Sequence, residues 1–114
     1  MIDVDEDRAD ALFHALSDRT RRDIVRRALA GEHSVSALAA SYDMSFAAVQ
    51  KHVAVLERAG LINKRRSGRE QLASGDVEAV REVAALLVEL ELVWRGRVAR
   101  IDELLAIDKP PTED

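Results

Sequence analysis

The residues with most chemistry to offer lie between Ser45 and His52. Phe46, Val49, Val53 and Leu56 step by three and four, a spacing that predicts a helix with those side chains inward. At about 100° per residue the opposite face then holds Ala47, Lys51, Ala54 and Arg58, with Gln50 on one flank and Ala48 and His52 on the other. An amide and an ammonium beside small methyls make a set that can read base edges. Gln50 can pair bidentately with adenine, Lys51 can donate to guanine O6 and N7 or to a phosphate, and the alanine methyls permit close approach and can touch thymine. Ser45 is a helix-capping type at a position where anions are favoured, so capping and phosphate contact are compatible there. In an ordinary helical surface Lys51 is simply a solvated cation. His52 suits a hydrogen bond within the turn and a phosphate contact equally.

A second cationic cluster follows. Lys64, Arg65, Arg66 and Arg69 crowd Ser67 and Gly68, a turn-forming pair between two strand-like segments. A hairpin tip has no core to fill, so cations there either solvate an edge or meet phosphates. Arg21 and Arg22 can add phosphate contacts from further upstream, or pair with Asp18 or Asp23.

The elements that must carry these residues can be read from caps and periodicity. Ala9, Leu12, Phe13 and Leu16 predict a first helix behind Asp5, Glu6 and Asp7. Ser17 and Asp18 start a second, about residues 19–30, with Ile24, Val25, Ala28 and Leu29 inward and Gly31 as its stop. Ser34 caps a short third helix with Val35, Leu38, Ala39 and Tyr42 at core spacing, and Tyr42, Asp43 and Met44 connect it to the fourth, which Gly60 closes. Two short helices across such a turn fit a helix-turn-helix, about 34–60, as well as any compact helical hairpin. The strand hairpin at about 61–73 favours the former, since it supplies a wing.

Asp76 caps a last, long helix to about residue 107, with a tail over 108–114 marked by Lys109, Pro110 and Pro111. Val80, Ala84, Leu87, Glu91, Trp94, Val98, Ile101 and Leu105 alternate steps of four and three, a heptad seam whose one polar member, Glu91, is a register device or a ligand contact. Val83, Leu86, Leu90 and Val93 widen the stripe beyond what one small core needs. A second copy of the chain is the expected cover, with Leu12, Leu87, Leu90, Glu91, Trp94, Val98, Ile101 and Leu105 at the interface and the first helix beside the last. The expected fold is therefore one mainly α winged helix-turn-helix with a small β-hairpin wing, dimerising through long terminal helices.

Composition bounds the rest. The chain has 114 residues and is 47% hydrophobic, enough for one core. It has no cysteine, which excludes disulfides and thiolate chemistry and favours a reducing cytoplasm; no leader or membrane span is apparent. The net charge of −4 conceals a basic middle: residues 17–30 carry five arginines against two aspartates, residues 45–72 carry six Lys/Arg against two glutamates, and both ends are acidic. No glycine-rich phosphate loop, metal-ligand cluster or histidine beside a nucleophile speaks for an enzyme. The expected partner is double-stranded DNA; a winged helix kept for protein contacts is the alternative, against which the four wing cations count.

Over residues 12–105 the sequence resembles the ArsR-type winged-helix regulators. Leu16 to Val25 (Leu-Ser-Asp-Arg-Thr-Arg-Arg-Asp-Ile-Val) resembles the opening of their second helix. Ser45, Ala48, Val49, His52, Val53 and Leu56 match their recognition helix, and Leu56 to Ile62 with Arg65, Arg66, Gly68 and Arg69 match the approach to the wing and the wing itself. The resemblance implies a transcription regulator, usually a homodimeric repressor. Metal-sensing members place a Cys-Val-Cys box on the third helix where this chain has Ser34-Val35-Ser36, and others bind zinc through histidines of the last helix, whereas the three histidines here are His14, His33 and His52. Hydroxyls are poor ligands for soft or borderline cations, so the sequence is most similar to the metal-independent branch, with no metal and no cofactor expected. A small-molecule inducer of unknown kind stays open.

Overall fold

The computed structural model describes residues 5–108; the tail from 109 onward lies outside them. Five helices and three strands follow in the order α1 (Glu6–Leu16), α2 (Arg19–Ala30), β1 (His33–Ser34), α3 (Val35–Ala40), α4 (Phe46–Arg58), β2 (Ile62–Ser67), β3 (Glu70–Gly75) and α5 (Val77–Asp108). Every helix starts at a side chain that accepts from its own first turn. Asp5 Oδ1 takes Arg8 N at 2.7 Å, Asp18 takes Arg21 N at 3.0 Å, Ser34 Oγ takes Ala37 N at 3.0 Å and Ser45 Oγ takes Ala48 N at 3.1 Å. Asp76 Oδ1 takes Glu78 N at 2.9 Å and Ala79 N at 3.3 Å. Each such cap is worth about 1 kcal/mol to its helix.

Leu12, Ile24, Leu38, Val49, Val53, Leu56, Leu61 and Ile62 are the largest fully buried side chains, and they knit α1–α4 to the sheet. Burial contributes roughly 1.5–3 kcal/mol for each such residue. α4 closes at Gly60, whose φ of +79° lets Leu61 N reach Leu56 O at 2.9 Å and turns the chain into β2. β2 and β3 pair antiparallel from Ile62↔Gly75 to Ser67↔Glu70, which leaves Gly68 and Arg69 as a two-residue turn with positive φ (+62°) at Gly68. Positive φ at the first of two turn residues is the type II′ pattern, which glycine satisfies without strain.

Several expectations need correction. β1 gives no periodic signal, yet His33↔Ala73 and Ser34↔Leu72 make it the third strand of a sheet ordered β1-β3-β2. Phe13 is 42% exposed and Leu29 also 42%, because α1 buries Ala9, Leu12 and Ala15 and α2 buries Ile24, Val25 and Ala28. Phe46 does not point inward: it is 47% exposed, since Val49, Val53 and Leu56 already fill the space beneath α4. Leu12 is fully buried within the chain's own core and has no surface to give a partner.

α5, with 32 residues, is about 48 Å long. Only its first turns belong to the body, where Ala79 is buried and Val80 and Val83 pack on the core. Arg8 clamps this junction: its Nε donates to Glu82 Oε2 at 2.9 Å, one Nη to Glu82 Oε1 at 3.2 Å and the other to Ala59 O at 2.6 Å, so α1, the end of α4 and α5 share one guanidinium. Beyond it α5 projects away. Leu87 (53%), Leu90 (66%), Trp94 (57%) and Leu105 (56%) are left exposed, and the described chain measures 76 × 27 × 22 Å.

Candidate nucleic-acid interface

Because Val49, Val53 and Leu56 anchor α4, its opposite side is necessarily open. Ala47, Gln50 and Lys51 are exposed there, Ala48 half-buried, and Ser45, itself exposed, caps the helix. α3 and α4 pack together across the connection Ser41–Ser45, so the two helices form a helix-turn-helix.

His52 sits on the flank facing α2, held by a residue whose part in the site the sequence did not settle. Arg21 donates Nε to Ala15 O at 2.8 Å and one Nη to His14 O at 3.0 Å, which binds it to the carbonyl end of α1, and its other Nη lies 3.2 Å from His52 Nδ1. A guanidinium only donates, so Nδ1 must accept and the imidazole proton resides on Nε2. His52 therefore makes its internal hydrogen bond and still keeps an N–H donor. Arg22 donates to Leu16 O at 2.8 Å. Neither arginine side chain pairs with Asp18 or Asp23: Asp18 caps α2, and Asp23 takes Arg26 at 3.1 Å, Arg27 at 2.8 Å and the Tyr42 hydroxyl at 2.6 Å. The Tyr42 hydrogen bond, then that of Arg27, holds the Asp23 carboxyl below its usual range.

The wing cations divide into two pairs. At the base, Lys64 Nζ is 3.3 Å from Glu57 Oε1, and Arg65 grips Glu32 with two bonds of 2.9 and 2.7 Å, which lowers the Glu32 pKa. At the tip, Arg66 donates only to Gly68 O, at 3.2 Å, and among the described residues neither Arg66 nor Arg69 has an acidic partner within 4 Å. A groove of about 180 Å³ separates wing from α4, lined by Gln50 and Phe46 on one side and Lys64 and Arg69 on the other.

The remaining candidates lie on α5. Leu87, Leu90, Trp94, Ile101 and Leu105 are exposed and Val98 is half-buried, so apart from Leu12 the apolar seam is open. Glu91 is 3.2 Å from Arg95 Nη on the same helix, and Arg97 lies over the Trp94 ring at 5.8 Å. Among the described residues no group of three His, Cys, Asp or Glu could hold a metal ion, and no helix is long and apolar enough to cross a membrane.

Residues 16–65 match the model of a helix-turn-helix domain family. The HTH-type transcriptional regulator Rv2034 of Mycobacterium tuberculosis is 35% identical over 96 residues, 84% of this chain and 87% of its own. The crystal structure of the ArsR family transcriptional regulator RHA00566 superposes with a TM-score of 0.77 at 31% identity, over 82% of this chain and 97% of that one. Mb0332 of Mycobacterium bovis, whose fragment 1–100 is described as a homodimeric winged helix-turn-helix DNA-binding domain, shares the fold at 24% identity with a TM-score of 0.59, over 82% of this chain and 84% of that one. The open cationic face of α4, the wing beside it and these relatives agree: the chain belongs to the ArsR family of winged helix-turn-helix, DNA-binding transcriptional regulators.

Proposed function

We propose that this regulator is a homodimeric repressor that occludes a promoter by binding an inverted-repeat operator, and that it does so without a metal. The observation that carries the reading is the closeness of α4 and the wing: Gln50 of α4 and Arg69 of the wing tip line one groove, and Lys51, the next residue of α4, is exposed. α4 enters the major groove with Gln50 and Lys51 on base edges, Ala47 and Ala48 allowing close approach, and Ser45 and the Nε2–H of His52 on phosphates. Arg66 and Arg69 reach the flanking backbone and Arg22 adds a contact from α2, while Lys64 and Arg65 contribute by exchanging a carboxylate partner for a phosphate.

The open seam of α5 supports self-association through Leu87, Leu90, Glu91, Trp94, Val98, Ile101 and Leu105, and the homodimeric fold relative of Mycobacterium bovis supports the same. Two copies related by a two-fold axis read half-sites about one helical turn apart. Metal independence is supported by Ser34 and Ser36, hydroxyls in place of the thiolates of metal-sensing members, with the Ser34 oxygen occupied as the cap of α3.

Anisotropy titrations of operator and random duplexes at several salt concentrations test this. Binding should weaken steeply with salt, and Lys51→Ala should cost about 1–3 kcal/mol on the operator and less on random DNA. Equal losses on both would assign Lys51 to a phosphate. Footprinting without a dyad, or stoichiometric tight zinc in equilibrium dialysis with release from DNA, would overturn the dimeric operator and the metal independence respectively.

A further inference from the structure

We infer that Phe46 is a specificity-determining residue, its ring meeting the C5 methyl of a thymine beside the base taken by Gln50. The inference rests on the operator reading above and goes beyond it, because the inward-facing pattern of α4 gave Phe46 to the core. A large aromatic 47% exposed at the first helical position, immediately after the Ser45 cap, gains little from its own chain. At about 100° per residue Phe46 shares a flank of α4 with Gln50 and Glu57, and that flank faces the wing, since Glu57 reaches Lys64 at 3.3 Å. The ring therefore lines the groove between α4 and the wing. Val53 continues its apolar wall, while Lys64, Arg69 and Glu70 supply the charges opposite.

An apolar surface in a groove shared with Gln50 and with Arg69, which has no acidic partner within 4 Å among the described residues, matches a partner that brings an apolar group on a polyanion. Among the groups that base pairs display in the major groove, the thymine methyl is the apolar one; the others are hydrogen-bond donors and acceptors. Base contacts of such domains come from the first turns of the recognition helix, where Phe46 stands. Gln50, one turn further on the same flank, offers the amide that pairs with adenine, so the two side chains together specify a T- and A-containing step.

The test uses the full-length protein and duplexes selected by it from a random pool. Each thymine of the selected site is replaced singly by uracil, which deletes only the methyl, and affinity is measured by anisotropy. Removing one buried methyl should weaken wild-type binding about fourfold per half-site at one position. Phe46→Ala should bind thymine and uracil duplexes alike there, and Phe46→Leu should keep part of the discrimination. Indifference of the wild type to uracil at every position, or undiminished discrimination in Phe46→Ala, would overturn the assignment while leaving operator binding intact. Failure to enrich any duplex over random DNA would instead overturn the operator reading and this inference with it.

Discussion

The body of the molecule and the distal part of α5 are built from similar residues and end in opposite states. In the body, from α1 to the first turns of α5, Leu12, Ile24, Leu38, Leu56, Leu61 and Ile62 are driven to near-zero exposure, and arginines such as Arg8, Arg21 and Arg27 find carboxylates or carbonyls within the chain. From Leu87 onward the large apolar side chains are mostly open, with Leu90 66% and Val93 69% exposed, and the arginine contacts stay within α5 itself, Arg95 with Glu91 and Arg97 over Trp94. A helix apolar along one stripe and unsupported by its own chain is stable as a partner's counterpart rather than alone. The wing repeats the contrast on a smaller scale, with a paired base and an open tip.

The contrast can be broken from the body side with the largest effect. Leu56→Ala, at a fully buried position, should destabilise by about 2–5 kcal/mol in chemical denaturation. A loss of under 1 kcal/mol would mean that the core collapses around the gap. On the α5 side, Trp94→Ala should leave the body folded and cost about 2 kcal/mol or more in association, read by sedimentation equilibrium. Trp94 is the sole tryptophan, so its fluorescence in the wild type should shift to shorter wavelength as concentration rises; a spectrum independent of concentration would detach the seam from self-association. Within the wing, Arg66→Ala with Arg69→Ala should lower the salt slope of random-DNA binding by about two, whereas Arg65→Ala, whose guanidinium already serves Glu32, should lower it by less than one. Equal slopes for both would erase the distinction between base and tip.

The smallest effect tests how closed the body is. Burial first, and then the hydrogen bond to Asp23, push the Tyr42 phenol up to about 12 from 10.0. A pKa raised on folding means that the neutral phenol's contribution is complete below the ordinary value and fades as pH rises through the folded one. Tyr42 is the only tyrosine, so ultraviolet titration reads it directly. The midpoint should lie near the raised value, and Asp23→Asn should bring it only part of the way back, since burial remains.

Much of this was legible in the sequence because the signals were local. Ser34, Ser45 and Asp76 cap the helices expected of them, and the periodicities of α2, α4 and α5 give helix limits within a residue or two of those observed. What escaped depended on residues far apart. β1 exists through its pairing with β3, and two residues carry no period. Arg8 meets Glu82 from 74 positions away and Arg65 meets Glu32 from 33, so no spacing rule could match those charges. Phe46 was misread because a three-four pattern extends one turn beyond the core that justifies it, and only the packing of Val49, Val53 and Leu56 marks where that core stops.

The cap of α3 also bears on how such a regulator could change its stimulus. Ser34 Oγ receives Ala37 N at 3.0 Å and so starts the helix that supports α4. Metal-sensing relatives are expected to hold thiolates at the positions of Ser34 and Ser36. Replacing both serines by cysteine would install the soft donors at one stroke, yet take away the hydroxyl that begins α3, a loss of about 1 kcal/mol. A metal would then have to restore the start of the helix as well as be sensed, so helix nucleation and ion detection would compete for one atom. Acquiring the soft donors would therefore carry the cost of the lost cap, about 1 kcal/mol, until a bound metal offset it.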